Sequence, residues 1–266
     1  MDKPYLSLGT YRLKEADIKE VLLYAIQNGY TGIDTATLYR NQKFIGNVLK
    51  ECNRDKLWIT SKLPPFDMES EETIINSLVK TMKDLGTPYI NEYLLHWPVA
   101  KEINKKAWMV LEQFHKQGYI HNIGVSNYTV MDLEDLMQYN TIPIFTNQIE
   151  VTPYLKRDDL VSYCYKHNIS ITAHSSLVKG ERFQDIKLQE LALNTNVTMA
   201  QLLLMWGMNK NFYVLPRTTK KEHIIENIMC CKYSIKPELI YIMDQWNENY
   251  ATHPKYIEQK ECIVVK

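Results

Sequence analysis

Short apolar runs alternate with longer amphipathic stretches along the whole chain. The runs at 31–34, 57–62, 92–96, 122–126, 146–150, 170–174 and 212–215 predict strands, and a weaker one lies at 5–8. Between them, apolar residues recur at helical spacing, as in Ile18, Val21, Leu22, Ala25 and Ile26. The stretches 14–28, 70–85, 104–117, 130–139, 158–167, 199–208 and 221–230 predict helices. Gly29 and Gly86 stand as stop signals after two of them. Strands alternating with helices of this length imply a parallel sheet. Eight units favour an α/β fold of the (β/α)8 TIM-barrel type over an open sheet, and no GxGxxG follows the first strand to suggest a Rossmann domain. Without a linker or composition break, residues 1–266 read as a single domain. Within it, 237–266 lies beyond the eighth unit: 237–249 predicts an extra helix, and the rest an irregular tail.

In a closed barrel of parallel strands, active sites form at the carboxyl ends of the strands. Each apolar run stops at polar residues: Asp34, Lys62, His96 with Trp97, Ser126 with Asn127, Gln148, His174 with Ser175, and Arg217 after Pro216. A barrel brings all of them to one face. Singly, each has a plain structural reading. Asp34 or Asn127 could cap a helix, Lys62 could snorkel at a rim, His96 could be a packed imidazole, and Tyr39 could be one of 18 tyrosines. Only their joint order carries an assignment.

Composition narrows the classes. Lys+Arg and Asp+Glu both number 31, so no net charge draws the chain to nucleic acid or to an anionic membrane. Cys52, Cys164, Cys230, Cys231 and Cys262 are odd in number and form no CxxC pair, which suits idle thiols in a reducing compartment. No signal-peptide or membrane-spanning run is visible, and the cytoplasm is the expected location. Nothing requires more than a monomer.

GTY at 9–11, GIDTATLYRN at 32–41, ITSKL at 59–63, YLLHWP at 93–98, GVSN at 124–127, NQIE at 147–150 and LPRTTKKEHIIEN at 215–227 together resemble the aldo-keto reductases, in order and over essentially the whole chain. The resemblance implies a catalytic set of Asp34, Tyr39, Lys62 and His96 reducing a carbonyl with a nicotinamide cofactor and no metal. A phenol titrates near 10 when free. Lys62, held charged by Asp34, is expected to lower that value for Tyr39, while His96 would orient the carbonyl. The resemblance also implies that Ser126, Asn127 and Gln148 hold the nicotinamide amide. His174 stands where the family usually stacks a tyrosine. Thr10, Ser175 and Leu177 complete the expected cofactor wall. Arg217, Thr218 and His223 would meet an adenosine 2′-phosphate, with His223 in place of a usual arginine, and Glu226 and Asn227 would hold the adenine. NADP(H) is the expected cofactor, with NAD(H) weakly discriminated. Tyr11 and Trp97 should wall the substrate pocket, with Pro64 and Pro65 where many relatives carry an aromatic residue. Short loops after the strands suggest a shallow pocket for aldehydes or small ketones.

Two rival readings use the same residues. A nucleotide-binding barrel acting as a sensor or regulatory subunit would bind cofactor without turnover. A Schiff-base aldolase would need Lys62 neutral, and Asp34 opposes that by keeping it charged.

Overall fold

The computed structural model describes residues 1–252. Eight strands run β1 Leu8–Gly9, β2 Gly32–Asp34, β3 Trp58–Leu63, β4 Ile90–Leu95, β5 Ile120–Ser126, β6 Thr146–Glu150, β7 Ser170–His174 and β8 Tyr213–Val214. Each pairs in parallel with its sequence neighbour, in the order β1 to β8. A parallel bridge between Leu6 and Val214 joins the last strand to the first. Ser7 N donates to Val214 O and Gly9 N to Pro216 O, both at 3.0 Å. The expected (β/α)8 barrel is therefore the observed one, as a single domain.

The helices are α1 Glu15–Gln27, α2 Gln42–Leu49, α3 Glu71–Leu85, α4 Lys101–Lys116, α5 Val130–Met137, α6 Asp158–Lys166, α7 Ile186–Thr195, α8 Met199–Asn209, α9 Lys221–Met229 and α10 Pro237–Asp244. Several are started by their own sequence. Ser70 with Thr73, Thr129 with Asp132, and Thr198 with Gln201 form reciprocal capping boxes that satisfy N-terminal amides. Gly86 ends α3 in the left-handed conformation, φ 62°, where a Cβ would be strained. The pattern did not predict α2 or α7. The expected helix at 237–249 stops at Asp244, and residues 253–266 of the expected tail lie outside the described residues. No helix among the described residues is long and apolar enough to cross a membrane.

Alternate strand residues face inward, and the barrel interior is polar at both ends. At the amino-terminal end Lys3 enters from the chain terminus. Its Nζ donates to Glu92 Oε1 at 2.6 Å and to Thr172 Oγ1 at 2.7 Å. Thr60 donates to the other Glu92 oxygen at 2.7 Å. Burial pulls the Lys3 ammonium below its usual range, although Glu92 supports the charge. Outside the strands, α2 crosses α3 at Gly46, where a Cβ would lie 2.0 Å from Asp84 O. That approach fixes α2 against α3 immediately after the segment that carries Tyr39.

Candidate active site

The 32–41 segment is wired locally before it meets anything distant. Asn41 Nδ2 donates to Thr10 O at 2.8 Å, and Thr35 Oγ1 donates to Asn41 Oδ1 at 3.1 Å. Residues 37–39 form one 3-10 turn, closed by Tyr39 N donating to Ala36 O at 3.0 Å. Thr37 Oγ1 donates to Lys62 O and shares a bond with Thr81 on α3, each at 3.1 Å. Tyr39 is thus aimed inward over the end of β3.

Lys62 lies beneath it, fully buried. Its Nζ donates to Asp34 Oδ1 at 2.6 Å, to Thr35 O at 3.0 Å and to Tyr39 Oη at 3.4 Å. The second Asp34 oxygen accepts from Gln148 Nε2 at 2.8 Å. That bond joins β2 to β6, which are not neighbours in the sheet, so it passes through the barrel interior. Burial opposes the Lys62 charge, but Asp34 and Tyr39 outweigh it and its pKa lies above the ordinary lysine value.

For Tyr39 the expected direction is reversed. Burial of the phenol outweighs the Lys62 ammonium, and the pKa lies above 10.0 rather than below it. The group therefore holds its proton at neutral pH. His96 is pushed well below 6.5, chiefly by burial and then by Lys62 and His174, so its ring is neutral. Its Nδ1 is buried and makes no hydrogen bond among the described residues. The Tyr39 and His96 rings meet edge-on with centroids 5.9 Å apart.

These groups open into a cleft of about 580 Å³ at the carboxyl ends of the strands. Its walls hold Asp34, Tyr39, His96, Ser126, Asn127, Gln148, His174, Ser175, Leu177, Arg217 and His223, with Tyr11 and Trp97 as expected. Tyr11 packs 5.0 Å from the Tyr39 ring and Trp97 4.4 Å from the His96 ring. Thr218, Glu226 and Asn227 line an adjoining recess with Arg217, His223 and Leu177. Thr10 does not reach the cleft; its hydroxyl donates to Asp34 O at 2.8 Å and braces the strand end. Pro64 and Pro65 turn into a short 3-10 segment and do not line the cleft.

Sequence reasoning missed Arg12, Leu38, Lys179, Gly180 and Phe183, all of which line the cleft. Three of them sit in residues 175–185 between β7 and α7, an exception to the short loops expected. Ser175, Val178 and Lys179 there have φ of 54°, 50° and 50°. A left-handed β-branched residue costs of the order of 1–3 kcal/mol, and no sequence signal marks it.

A closed parallel barrel with a buried Asp–Lys–Tyr relay and a neutral histidine at its carboxyl face is the framework of a barrel enzyme that moves protons. Comparison with known proteins specifies which. Residues 5–248 match the model of the Aldo/keto reductase family. An uncharacterised oxidoreductase of Bacillus subtilis is 33% identical over 261 residues, covering 96% of this chain and 92% of that protein. The glyoxal reductase of the same organism is 32% identical over 257 residues, with the same two coverages of 96% and 92%. The crystal structure of an aldo-keto reductase from a Medee basin deep-sea metagenome library superposes with a TM-score of 0.91 at 26% identity, covering 100% of this chain and 97% of that one. This chain belongs to the aldo/keto reductase family and is an oxidoreductase of that family, which does not favour the non-catalytic barrel that its sequence left open.

Proposed function

We propose that this chain reduces small aldehydes or ketones to alcohols with NADP(H), and that Tyr39 delivers the proton. The observation that carries the reading is the position of the Lys62 ammonium, 3.4 Å from the Tyr39 hydroxyl and 2.6 Å from Asp34. Neutral His96 stands across the same cleft. The cleft's chemistry fits a dinucleotide. Asn227 is buried beside the recess with neither its nitrogen nor its oxygen hydrogen-bonded, which suits a ligand offering both donors and acceptors. Arg217 and His223 border that recess as exposed bases for a phosphate. Ser126, Asn127 and Gln148 would hold the nicotinamide amide beside Tyr39, and Glu226 with Asn227 the adenine.

Bound there, the nicotinamide supplies the hydride. His96 orients the carbonyl oxygen, with a ring nitrogen donating to it. Tyr39 Oη passes its proton to that oxygen as the C–H bond forms. Lys62 stabilises the phenolate left behind, and Asp34 keeps Lys62 charged for that moment. General acid catalysis of this kind contributes about 10²–10⁴-fold. Among the described residues, Tyr11, Trp97 and Leu38 border a largely apolar mouth. It suits compact carbonyls, of the kind for which the Bacillus subtilis glyoxal reductase is named.

The test mixes the protein with NADPH and either glyoxal or 4-nitrobenzaldehyde and follows the nicotinamide absorbance. Tyr39→Phe should lose about 10²–10⁴-fold in kcat while binding NADPH as before; full activity would move the proton donor elsewhere. His223→Arg should tighten NADPH more than NADH, and equal effects would remove His223 from the phosphate site.

A further inference from the structure

Both side-chain N–H groups of Asn127 are directed inside the protein. Its backbone is left-handed, φ 61°, a conformation that asparagine tolerates. Nδ2 faces His96 O and Ser126 Oγ, both at 3.1 Å. A backbone carbonyl can only accept, so the nitrogen must lie on that side and Oδ1 on the other. Ser126 in turn donates its proton to Gln148 O at 2.9 Å. Asn127 Oδ1 faces His174 Nε2 at 2.9 Å. An amide oxygen also can only accept, so Nε2 carries a proton toward it, while Nδ1 lies 3.2 Å from Ser175 Oγ.

We propose that His174 is a positioning residue: its Nε2–H locks the Asn127 amide so that Oδ1 stays turned to the cleft as an acceptor for the carboxamide NH2 of a nicotinamide. The role rests on the cofactor reading given above and sharpens it. Both Asn127 hydrogens and the Ser126 hydrogen are committed inside the protein. The free lone pair of Asn127 Oδ1 therefore accepts from the carboxamide, and the second Gln148 N–H donates to the carboxamide oxygen, its first being held by Asp34. A tyrosine at this position would offer ring area but no donor at the imidazole's reach. The histidine exchanges stacking for polarity, and the pocket then reads which end of the carboxamide is NH2.

The experiment measures dissociation constants by quenching of protein fluorescence, for NADP⁺ and for its 3-acetylpyridine analogue, in which a methyl replaces the NH2. The unaltered protein should prefer NADP⁺ by about 3–10-fold, the worth of one such hydrogen bond. His174→Phe, which keeps a ring and removes the donor, should lower that ratio toward one, because Asn127 is then held only through its nitrogen, by His96 O and Ser126 Oγ, and Oδ1 loses the contact that keeps it turned to the cleft. His174→Gln, which keeps an N–H at similar reach and removes the ring, should weaken both ligands and preserve the ratio. Adenosine 2′,5′-bisphosphate should bind all three proteins alike, which confirms that the fold is intact. An unchanged ratio in His174→Phe, or a ratio lost equally in His174→Gln, overturns the role of His174. Failure of the unaltered chain to bind NADP⁺ would instead overturn the cofactor reading itself.

Discussion

Replacing Asp34 by Asn tests the buried relay most directly. The carboxylate accepts from Lys62 through one oxygen and from Gln148 through the other, at 2.6 and 2.8 Å. An asparagine has one oxygen, so its NH2 must face either an ammonium or another NH2. Lys62 then meets only neutral acceptors, Thr35 O, Tyr39 Oη and at most the single amide oxygen. Breaking a buried ion pair on one side costs about 3–5 kcal/mol. A ceiling exists because lysine can release its proton. From a reference of 10.5, neutralising Lys62 at pH 7 costs about 4.8 kcal/mol at 1.36 kcal/mol per unit, and at pH 9 about 2 kcal/mol. In the variant Lys62 is depressed below its unfolded value, so the unfolded chain binds more protons and stability rises with pH. Urea unfolding of both proteins at pH 7, 8 and 9 should show a deficit of about 3–5 kcal/mol that shrinks to about 2 or less. Carbonyl reduction should fall by about 10²–10⁴-fold, since a neutral Lys62 no longer supports the Tyr39 phenolate. A deficit below about 1 kcal/mol, the level of an exposed pair, or one that is the same at all three pH values, would show that Asp34 does not hold the Lys62 charge.

Other perturbations bear on neighbouring parts of the molecule. Lys3→Met strands Glu92 inside the barrel and should cost about 3–5 kcal/mol in chemical denaturation; adding Glu92→Gln should restore much of it, and no recovery would mean that the loss came from packing. Gly46→Ala drives a Cβ to 2.0 Å from Asp84 O and should lower stability by at least about 1–3 kcal/mol, with reduced kcat as α3 and the Thr37–Thr81 tie shift; a neutral outcome in both would contradict the close crossing. As the proposed proton donor Tyr39 would act only while protonated, and its pKa lies above 10.0, while His96 stays neutral until well below 6.5. The kcat profile should therefore be flat across neutral pH, and a limb there that vanishes in Tyr39→Phe or His96→Asn would reverse these directions.

Much of the site is legible in the sequence because strands end abruptly. Asp34, Lys62, His96 and His174 each interrupt an apolar run, and the barrel rule places every such stop on one face. Helix α2 escaped because it starts at Gln42, directly after the 32–41 motif, with no turn signal between them. Helix α7 escaped for another reason: Leu188, Leu191 and Ala192 do face the core, but Ile186 and Leu193, 67% and 84% exposed, put apolar residues on the opposite side and blur the pattern. Partners across the barrel are invisible to any local pattern. Gln148 reaches Asp34 over 114 residues of sequence, and only closure brings them together. Lys3 likewise reads as a solvated terminal lysine until the barrel forms around it. The direction of the Tyr39 shift was misjudged because a sequence displays the neighbouring charge but not the depth of burial that opposes it.

The joint between the first and last strands has a consequence for how this barrel breathes. β1 and β8 are two residues each, and Leu6–Val214 is the bridge that links them. The circle is thus fastened by its two shortest members, and Tyr11 and Arg217 lie just past the clasp, with an Arg217 Nη2–H donating to Arg12 O at 3.1 Å. Backbone amides at 5–9 and 213–215 should be among the first strand amides to exchange with deuterium. A dinucleotide lying from Tyr11 to Arg217 would span that joint from outside the sheet, a staple across the opening of a ring, and slow that exchange far from the chemistry it serves.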